Sequence, residues 1–253
     1  FGGGMKQYPL SSISSIYRID YSNYTATAST KGSLTVSTKE HSATGNQDFG
    51  YFGGGQSEIT TVSRLDYAND TTDAVTKGPL ATGREVAAAT GNANFGYFAG
   101  GTTPGGPGGV TLIDRIDYAN DTATASPKGN LNIVRYGLGA TGDANFGYFG
   151  GSNTADKTQI DRIDYSNDTA TASPKGGLSV GRQYLSAASA RANGFVPIGP
   201  SVVSNAAAIA GSFNPTQFGY FGGGGNPSTD ASTIQRIEYA NDTVTTSRRA
   251  ILT

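Results

Sequence analysis

The sequence has no cysteine and no tryptophan, and only one histidine and one methionine among its 253 residues. Without cysteine there are no disulfide bonds, thiolate metal sites or thiol nucleophiles. The single histidine, His41, cannot form a metal site without other ligands, and a catalytic triad would need a serine and an acid beside it. We therefore expect a non-enzymatic protein with no catalytic residue, no metal and no cofactor.

Charge and long apolar runs are also scarce. Charged residues make up 15% of the chain, and the formal net charge is −1. A nucleic-acid-binding surface is normally strongly basic, so we expect no nucleic-acid partner. No run reaches the roughly 18 apolar residues that a membrane-spanning helix needs, so we expect no membrane span. A low net charge does little to oppose self-association, and an oligomer or larger assembly is consistent with it.

Glycine, in contrast, is abundant, with 37 residues, and much of it closes short strand-like phrases. The phrase FGYFGG at 146–151 returns in close copies that begin at Phe49, Phe95 and Phe218, and a clipped copy opens the chain at Phe1. A second phrase, such as RIDY, follows each copy and leads into an N-x-T turn. Five copies with a period of about 50 residues indicate a propeller or a solenoid.

One complete unit predicts four short strands, at 136–141, 146–151, 160–165 and 169–173. Frequent turn signals and short connections favour one small antiparallel sheet per unit, whereas a β-helix would need parallel ladders. Such a sheet must be covered on both faces, and radial packing around an axis covers it. We predict an all-β propeller of about five four-stranded antiparallel blades, with six blades, one of them degenerate, as the alternative.

The repeats run from end to end and predict a single propeller domain. Its predicted units are 1–37, 38–83, 84–134, 135–181 and 182–253, with an insertion near 183–203. The first unit lacks its first strand, so we expect that Phe1 is not the natural start of the protein. Closure of the ring would then require a strand from the insertion, from upstream residues or from another chain.

Two features of the repeat resemble the kelch family: the double glycine that closes the second strand and the arginine that opens the first strand. These residues are Gly53 and Gly54, Gly100 and Gly101, Gly150 and Gly151, Gly222 and Gly223, and Arg84, Arg135 and Arg182. The phrases NFGYFGG and RIDYxNDTATAS are also similar to tandem-repeat virion structural or tail-fibre-like proteins of marine cyanobacterial phages.

These resemblances imply a kelch-like propeller located in a virion, as a structural or host-attachment module. Its loops would bind a host-surface glycan or another virion protein. The alternative hypothesis is a secreted, lectin-like or fibre-forming protein of a cell surface, decorated with glycans at its N-x-T turns.

The third strand of each unit carries an arginine followed two residues later by an acid, so the two side chains share a face of the strand. We expect structural ion pairs, because partly buried charges are normally paired, rather than a ring of charge that grips a ligand. The residues are Arg18 and Asp20, Arg64 and Asp66, Arg115 and Asp117, Arg162 and Asp164, and Arg236 and Glu238.

The N-x-T phrases are formally glycosylation acceptors, but Asn, Asp and Thr are also the residues that close turns on their own backbone. We favour the turn role and keep glycan attachment as the alternative for Asn23, Asn69, Asn120, Asn167 and Asn241.

The tyrosines divide into two groups. Those of the aromatic strand are expected to pack between blades, with alternate aromatic residues facing the two neighbouring blades. Tyr8, Tyr24 and Tyr184 lie in predicted loops, and we expect these three to face a ligand.

Overall fold

The computed structural model describes residues 1–23, 25–106, 108–154, 156–189, 218–225 and 232–251, and these residues form an all-β protein. Four small antiparallel sheets of four strands each are arranged as a four-bladed β-propeller. Within the described ranges the helical segments are single turns of 3-10 helix. They lie at Tyr67–Asn69, Tyr118–Asn120, Tyr165–Asn167 and Tyr239–Asn241.

The first unit precedes the blades and forms two small sheets, and within each blade every strand pairs with the next one in sequence. In the first unit, β1 (Met5–Lys6) pairs with β2 (Ser11–Ser12), and β3 (Ser15–Arg18) pairs with β4 (Ser29–Ser33). The first two blades are β5 (Ser42–Gly45), β6 (Phe49–Gly53), β7 (Val62–Asp66) and β8 (Val75–Lys77), then β9 (Ala88–Gly91), β10 (Phe95–Ala99), β11 (Ile113–Asp117) and β12 (Ser126–Pro127). The last two are β13 (Gly139–Gly142), β14 (Phe146–Gly150), β15 (Ile160–Asp164) and β16 (Ser173–Lys175), then β17 (Ser186–Ser189), β18 (Phe218–Gly222), β19 (Thr233–Glu238) and β20 (Ser247–Ile251).

The described residues form four complete blades, rather than the predicted five or six. The first unit falls short because its second strand is reduced to a single bridge between Gly2 and Ile16, which leaves β3 and β4 as a two-stranded sheet. The predicted insertion at 183–203 also needs correction, because residues 186–189 form β17, the first strand of the last blade. Residues 190–203 lie outside the described ranges.

The fourth strand of each blade begins later than predicted. In the third blade the strand is Ser173–Lys175 rather than 169–173. A 3-10 turn follows β15 directly, and the Ala170 N–H then donates to the Asn167 carbonyl at 3.2 Å, so the chain keeps turning through Ala170. The threonine-rich segment therefore belongs mainly to the turn.

The hydrophobic core lies between successive units rather than inside any one of them. The first strands β5, β9, β13 and β17 lie side by side in this order. Each of the four buried clusters contains side chains from two adjacent units. For example, Tyr97 and Ile113 of the second blade pack with Phe149 and Ile163 of the third. A blade can therefore bury its apolar faces only with its neighbours in place.

The aromatic strand serves both neighbours, as side-chain alternation predicts. In β10, the Tyr97 ring stacks on Tyr165 of the following blade, with ring centroids 4.9 Å apart. Phe98 faces the preceding blade, where its ring lies against the Cα of Gly53.

At four positions, a glycine that follows a lysine lets the backbones of two units approach closely. The Gly129 N–H donates to the Asp168 carbonyl of the next unit at 2.8 Å, and a Cβ on Gly129 would overlap the Ala170 carbonyl. The same contact recurs at Gly32, Gly78 and Gly176, which donate to the carbonyls of Asp70, Asp121 and Asp242. No other residue fits here without moving a neighbouring turn.

We expect Gly129→Ala to lower the free energy of unfolding by about 1–3 kcal/mol, because overpacking against backbone forces the turn to shift. Gly108→Ala is the matched control, since a Cβ on Gly108 meets nothing within 4 Å. Urea unfolding of both variants measures the difference. Equal stability of the two variants would contradict the close approach.

Candidate functional site

The aspartate of each N-D-T turn is the acceptor that joins two units. Asp168 lies in the turn after β15, and its Oδ2 accepts hydrogen bonds from Arg115 Nη1 at 2.7 Å and from the Tyr97 hydroxyl at 2.9 Å. Lys128 Nζ lies 3.4 Å from the other carboxylate oxygen. All three donors belong to the preceding unit, so one carboxylate holds two cations and a phenol across the junction.

The same arrangement repeats along the chain. Arg64, Lys77 and Tyr51 converge on Asp121, and Arg162, Lys175 and Tyr148 converge on Asp242. At the first junction Asp70 binds Arg18 and Lys31, at 2.6 and 3.3 Å. The third-strand arginine of each blade also lies over the phenylalanine that opens the second strand of the same blade, 4.1–4.3 Å from the ring centroid.

The arginines thus form structural ion pairs, but with different partners from those that the spacing predicted. The acids two residues further on cap the following turn instead, as Asp66 does by accepting from the Ala68 N–H at 2.9 Å. Asp117 and Asp164 make the same bond, to Ala119 and Ser166. Asp20 accepts from the side chain and backbone of Ser22, and these bonds lower the pKa of its carboxyl.

The last unit departs from the pattern. Glu238 makes no side-chain cap bond, since its longer side chain does not close the short turn. Arg236 has no ion-pair partner within the described residues, although it lies 4.1 Å from the centroid of the Phe218 ring.

The asparagines of the N-x-T phrases are exposed residues of the turns. The Asn69 carbonyl accepts from the Thr72 N–H at 3.2 Å, and its side-chain oxygen accepts from Thr71 Oγ1 at 3.4 Å. Corresponding backbone bonds form at Asn23, Asn120, Asn167 and Asn241. Glycan attachment remains a prediction, and their exposure is compatible with it.

A second set of ion pairs was missed by the sequence analysis. Arg84 and Arg135, which lie four residues before the first strands of their blades rather than opening them, are fully buried and bind Asp114 and Asp161, at 2.7 and 3.1 Å. Nη1 of each guanidinium also donates to backbone carbonyls of its blade, from Arg84 to Leu112 at 3.0 Å and from Arg135 to Phe149 and Gln159 at 3.3 and 3.1 Å. Each guanidinium therefore anchors the start of the first strand to the second and third strands of its own blade.

The first blade shows that the two members of this pair change together. There Thr38 takes the place of the arginine and Ser63 that of the aspartate. The last blade keeps Arg182 but has Gln235 in place of the acid, and Arg182 donates to the Gly223 and Thr233 carbonyls at 3.0 and 2.8 Å. The joint replacement in the first blade is the sequence signal that could have revealed the pair, although the last blade replaces the acid alone.

Burial acts on both partners of the Arg84–Asp114 pair. Desolvation raises the pKa of Asp114 and lowers that of Arg84, while the attraction between the two charges opposes both shifts. Two backbone N–H groups, of Ala81 and Thr82, complete the hydrogen bonding of the carboxylate.

The junction tyrosines are also shifted. Desolvation, together with the hydrogen bond to the aspartate and its negative charge, raises the pKa of Tyr51, Tyr97 and Tyr148 above the usual range. These phenols remain protonated donors at any physiological pH.

A partly exposed cluster lies apart from the junctions. It lies where β13 and β17 begin and consists of Tyr136, Tyr184 and Asn153, here named the tyrosine patch. Asn153 Nδ2 donates to the Tyr136 hydroxyl at 2.8 Å and to the Tyr184 hydroxyl at 3.1 Å. The two rings meet edge to face, with centroids 6.5 Å apart.

A backbone ladder holds the patch in position. The third residue from the start of each unit has a left-handed conformation, at Glu40, Val86, Gly137 and Tyr184, with φ of 53–66°. The Val86 N–H donates to the Glu40 carbonyl, Gly137 to Val86, and Tyr184 to Gly137, at 2.7–2.9 Å. At Gly137 the absence of a Cβ leaves room for the Tyr184 ring, which would lie 3.2 Å from such an atom.

The three predicted ligand-facing tyrosines have different outcomes. Tyr184 is 55% exposed and lies in the patch, and Tyr8 is 86% exposed in the first unit. Tyr24 lies outside the described residues. Tyr136 and Asn153 were not predicted, because a sequence does not show contacts between residues that lie 17 positions apart, as these two do, or 31 positions apart, as Asn153 and Tyr184 do.

The patch offers two aromatic faces and an oriented amide, which can stack on a sugar ring and hydrogen-bond its hydroxyl groups. His41 is distant from it in sequence, and burial lowers the pKa of its imidazole. In the described part of the chain no group of His, Cys, Asp and Glu residues could hold a metal ion. No helix there is long and apolar enough to cross a membrane.

We expect Asp161→Asn to lower the free energy of unfolding by about 3–5 kcal/mol, because it leaves the buried Arg135 guanidinium without a counter-charge. Asp164→Asn, three residues away, is the control and should cost less than about 1 kcal/mol, since asparagine also caps a turn. Thermal and urea unfolding of both variants measure the difference in stability. A control variant as unstable as Asp161→Asn would refute the distinction.

We expect the stability of the protein to fall as the pH rises above about 10. The pKa of the junction tyrosines is raised in the folded state, so their contribution to stability is complete below the unfolded pKa and is lost as the pH passes the folded pKa. Urea unfolding followed across this range should show the loss, with a shallower pH slope for Tyr97→Phe. An identical slope in this variant would argue against the tyrosine contribution.

No protein-family model matches this chain, and no curated protein sequence matches it. The described geometry and the repeat phrases are therefore the basis for a functional proposal.

Proposed function

We propose that this propeller is a non-enzymatic binding module that recognises a glycan through the tyrosine patch. The observation that carries the proposal is the arrangement of Tyr136, Tyr184 and Asn153, where one amide orients two partly exposed phenols. Aromatic faces with adjacent hydrogen-bonding groups suit a sugar, which has an apolar face and a rim of hydroxyl groups. A surface that is already ordered also loses little conformational entropy on binding.

The ladder supports this assignment of the site. Tyr184 has a left-handed backbone, which costs free energy in a residue with a Cβ, and such residues cluster at functional positions. The hydrogen bond from the Tyr184 N–H to the Gly137 carbonyl at 2.7 Å holds this conformation. The exposed ring is thereby fixed relative to the third blade.

We further propose that the module serves in a virion, as a structural or host-attachment component that contacts host-surface glycan or other virion proteins. The support is the resemblance of the repeat phrases to phage tandem-repeat proteins. A rigid body with its core between units suits a load-bearing scaffold, since no blade can detach without exposing apolar surface.

The second candidate is a secreted, lectin-like or fibre-forming cell-surface protein. The exposure of the five N-x-T asparagines favours it, since each side chain is accessible to a glycan transferase. Intact-mass measurement of the natural protein separates the two candidates, because added hexose mass at these turns would speak against the virion assignment.

We expect Tyr184→Ala to weaken binding to a panel of immobilised polysaccharides by about tenfold or more, because an aromatic stacking surface is lost. Tyr8→Ala is the control, since Tyr8 is more exposed but lies outside the patch. Binding is measured by surface plasmon resonance on folded variants with matched melting temperatures.

If the protein binds no polysaccharide of the panel and binds virion proteins alone, glycan recognition is rejected and the scaffold role is left. Equal losses for both variants would show that the patch is not the site.

A further inference from the structure

A groove crosses the junction between the first two blades, at the end of the blades where the first strands finish. The tyrosine patch lies at the opposite end, where the first strands begin. The groove has a volume of about 490 Å³, within the range of roughly 300–1,000 Å³ that holds small ligands. Both blades contribute to its lining, which includes Asn46, Phe49, Asn94, Phe95, Asp117 and Tyr118.

An amide donor faces this groove from the first blade. The side-chain oxygen of Asn46 accepts from two backbone N–H groups of its own turn, both at 2.9 Å, so Nδ2 points away from that turn. Asn92 is held in the same way in the second blade, and its Nδ2 donates across the next junction to the Ala144 carbonyl at 3.3 Å. Within the described ranges Asn46 makes no such bond. Its amide hydrogens are therefore available to a ligand.

A carboxylate oxygen is available in the same groove. Asp117 is half-buried, and its Oδ1 accepts from the Ala119 N–H at 3.0 Å. In the part of the chain that the structure describes, no hydrogen bond or ion pair engages Oδ2, and no lysine or arginine lines the groove. The groove therefore carries one negative charge and offers an acceptor as well as the Asn46 donor.

Two phenylalanine rings supply the apolar part of the lining. Phe49 and Phe95 are half-buried, and the guanidinium groups of Arg64 and Arg115 lie over them, 4.2 and 4.3 Å from the ring centroids. These contacts hold the rings in place before a ligand arrives, so binding costs little side-chain entropy.

We propose that this groove is a second ligand site, which binds one pyranose ring of a glycan without acidic groups. The apolar face of the sugar packs against the phenylalanine rings. One hydroxyl group donates to Asp117 Oδ2, and the oxygen of a neighbouring hydroxyl group accepts from Asn46 Nδ2. The groove is a different surface from the tyrosine patch, and the proposal holds whether or not the patch binds a glycan.

The set of polar groups favours a sugar over a cation. An ammonium or guanidinium group would pair with Asp117, but it has no acceptor for the amide hydrogens of Asn46. Neighbouring hydroxyl groups both donate and accept, so they satisfy both side chains. A uronic acid would bring a second negative charge close to Asp117, and the two charges would repel each other.

Titration of the full chain with the methyl glycosides of glucose, galactose and mannose, followed by amide NMR, tests the proposal. At least one of these sugars should shift the signals of residues 46–49 and 117–119 in a saturable manner. Asp117→Asn should weaken this binding by about tenfold, because it removes the charged acceptor and keeps the turn cap. Asp164→Asn is the matched control and should leave binding unchanged, since it alters the same turn position at the next junction, where the Asn92 amide is already bonded.

Asn46→Asp is an independent second variant. Asp143 occupies this position in the third blade and accepts from two backbone N–H groups at 2.8 Å, so an aspartate supports the turn. The variant removes the amide donor and should also weaken binding by about tenfold.

Tyr184→Ala should leave the response of the groove unchanged, and a loss in this variant would instead place the sugar at the tyrosine patch. The proposal would be overturned if none of the three glycosides shifts the groove signals, or if Asp164→Asn weakens binding as much as Asp117→Asn. Tighter binding of methylguanidinium than of any glycoside would also overturn it, by assigning the groove to a cationic side chain.

Discussion

The propeller depends on the hydrogen bonds and ion pairs that the carboxylate of each turn aspartate makes with the preceding unit. Asp168 holds an arginine, a lysine and a tyrosine of the second blade, and its backbone carbonyl accepts from Gly129 of the same blade. These donors position the third blade so that the tyrosine rings stack and the apolar faces close on one another. The polar junction fixes the geometry, and burial of apolar side chains supplies most of the stabilisation.

A different set of contacts gives each blade its internal shape. The buried Arg84 and Arg135 bind carbonyls and an aspartate of their own blades. These bonds hold the first strand in place, because its own side chains are too small to pack deeply. This leaves the starts of the first strands free to form the ladder. The tyrosine patch stands on that ladder, where the exposed Tyr184 meets the half-buried Tyr136.

Much of the fold could be predicted from sequence, because strand length, alternation and turn residues are local properties. These local properties predicted the four strands of each blade and the packing of the aromatic strand against both neighbouring blades. Partners across a junction could not be inferred, because Arg115 and Asp168 are 53 residues apart, while Asp117 shared a strand face with the same arginine.

A double-mutant cycle on Arg115 tests the inter-unit account most directly. Arg115→Met and Asp168→Asn, alone and combined, should show a coupling free energy of about 1 kcal/mol or more in urea unfolding, because each residue loses its partner. The parallel cycle of Arg115→Met with Asp117→Asn should show a coupling near zero. A larger coupling to Asp117 than to Asp168 would contradict the account, because the pairing would then lie within one strand.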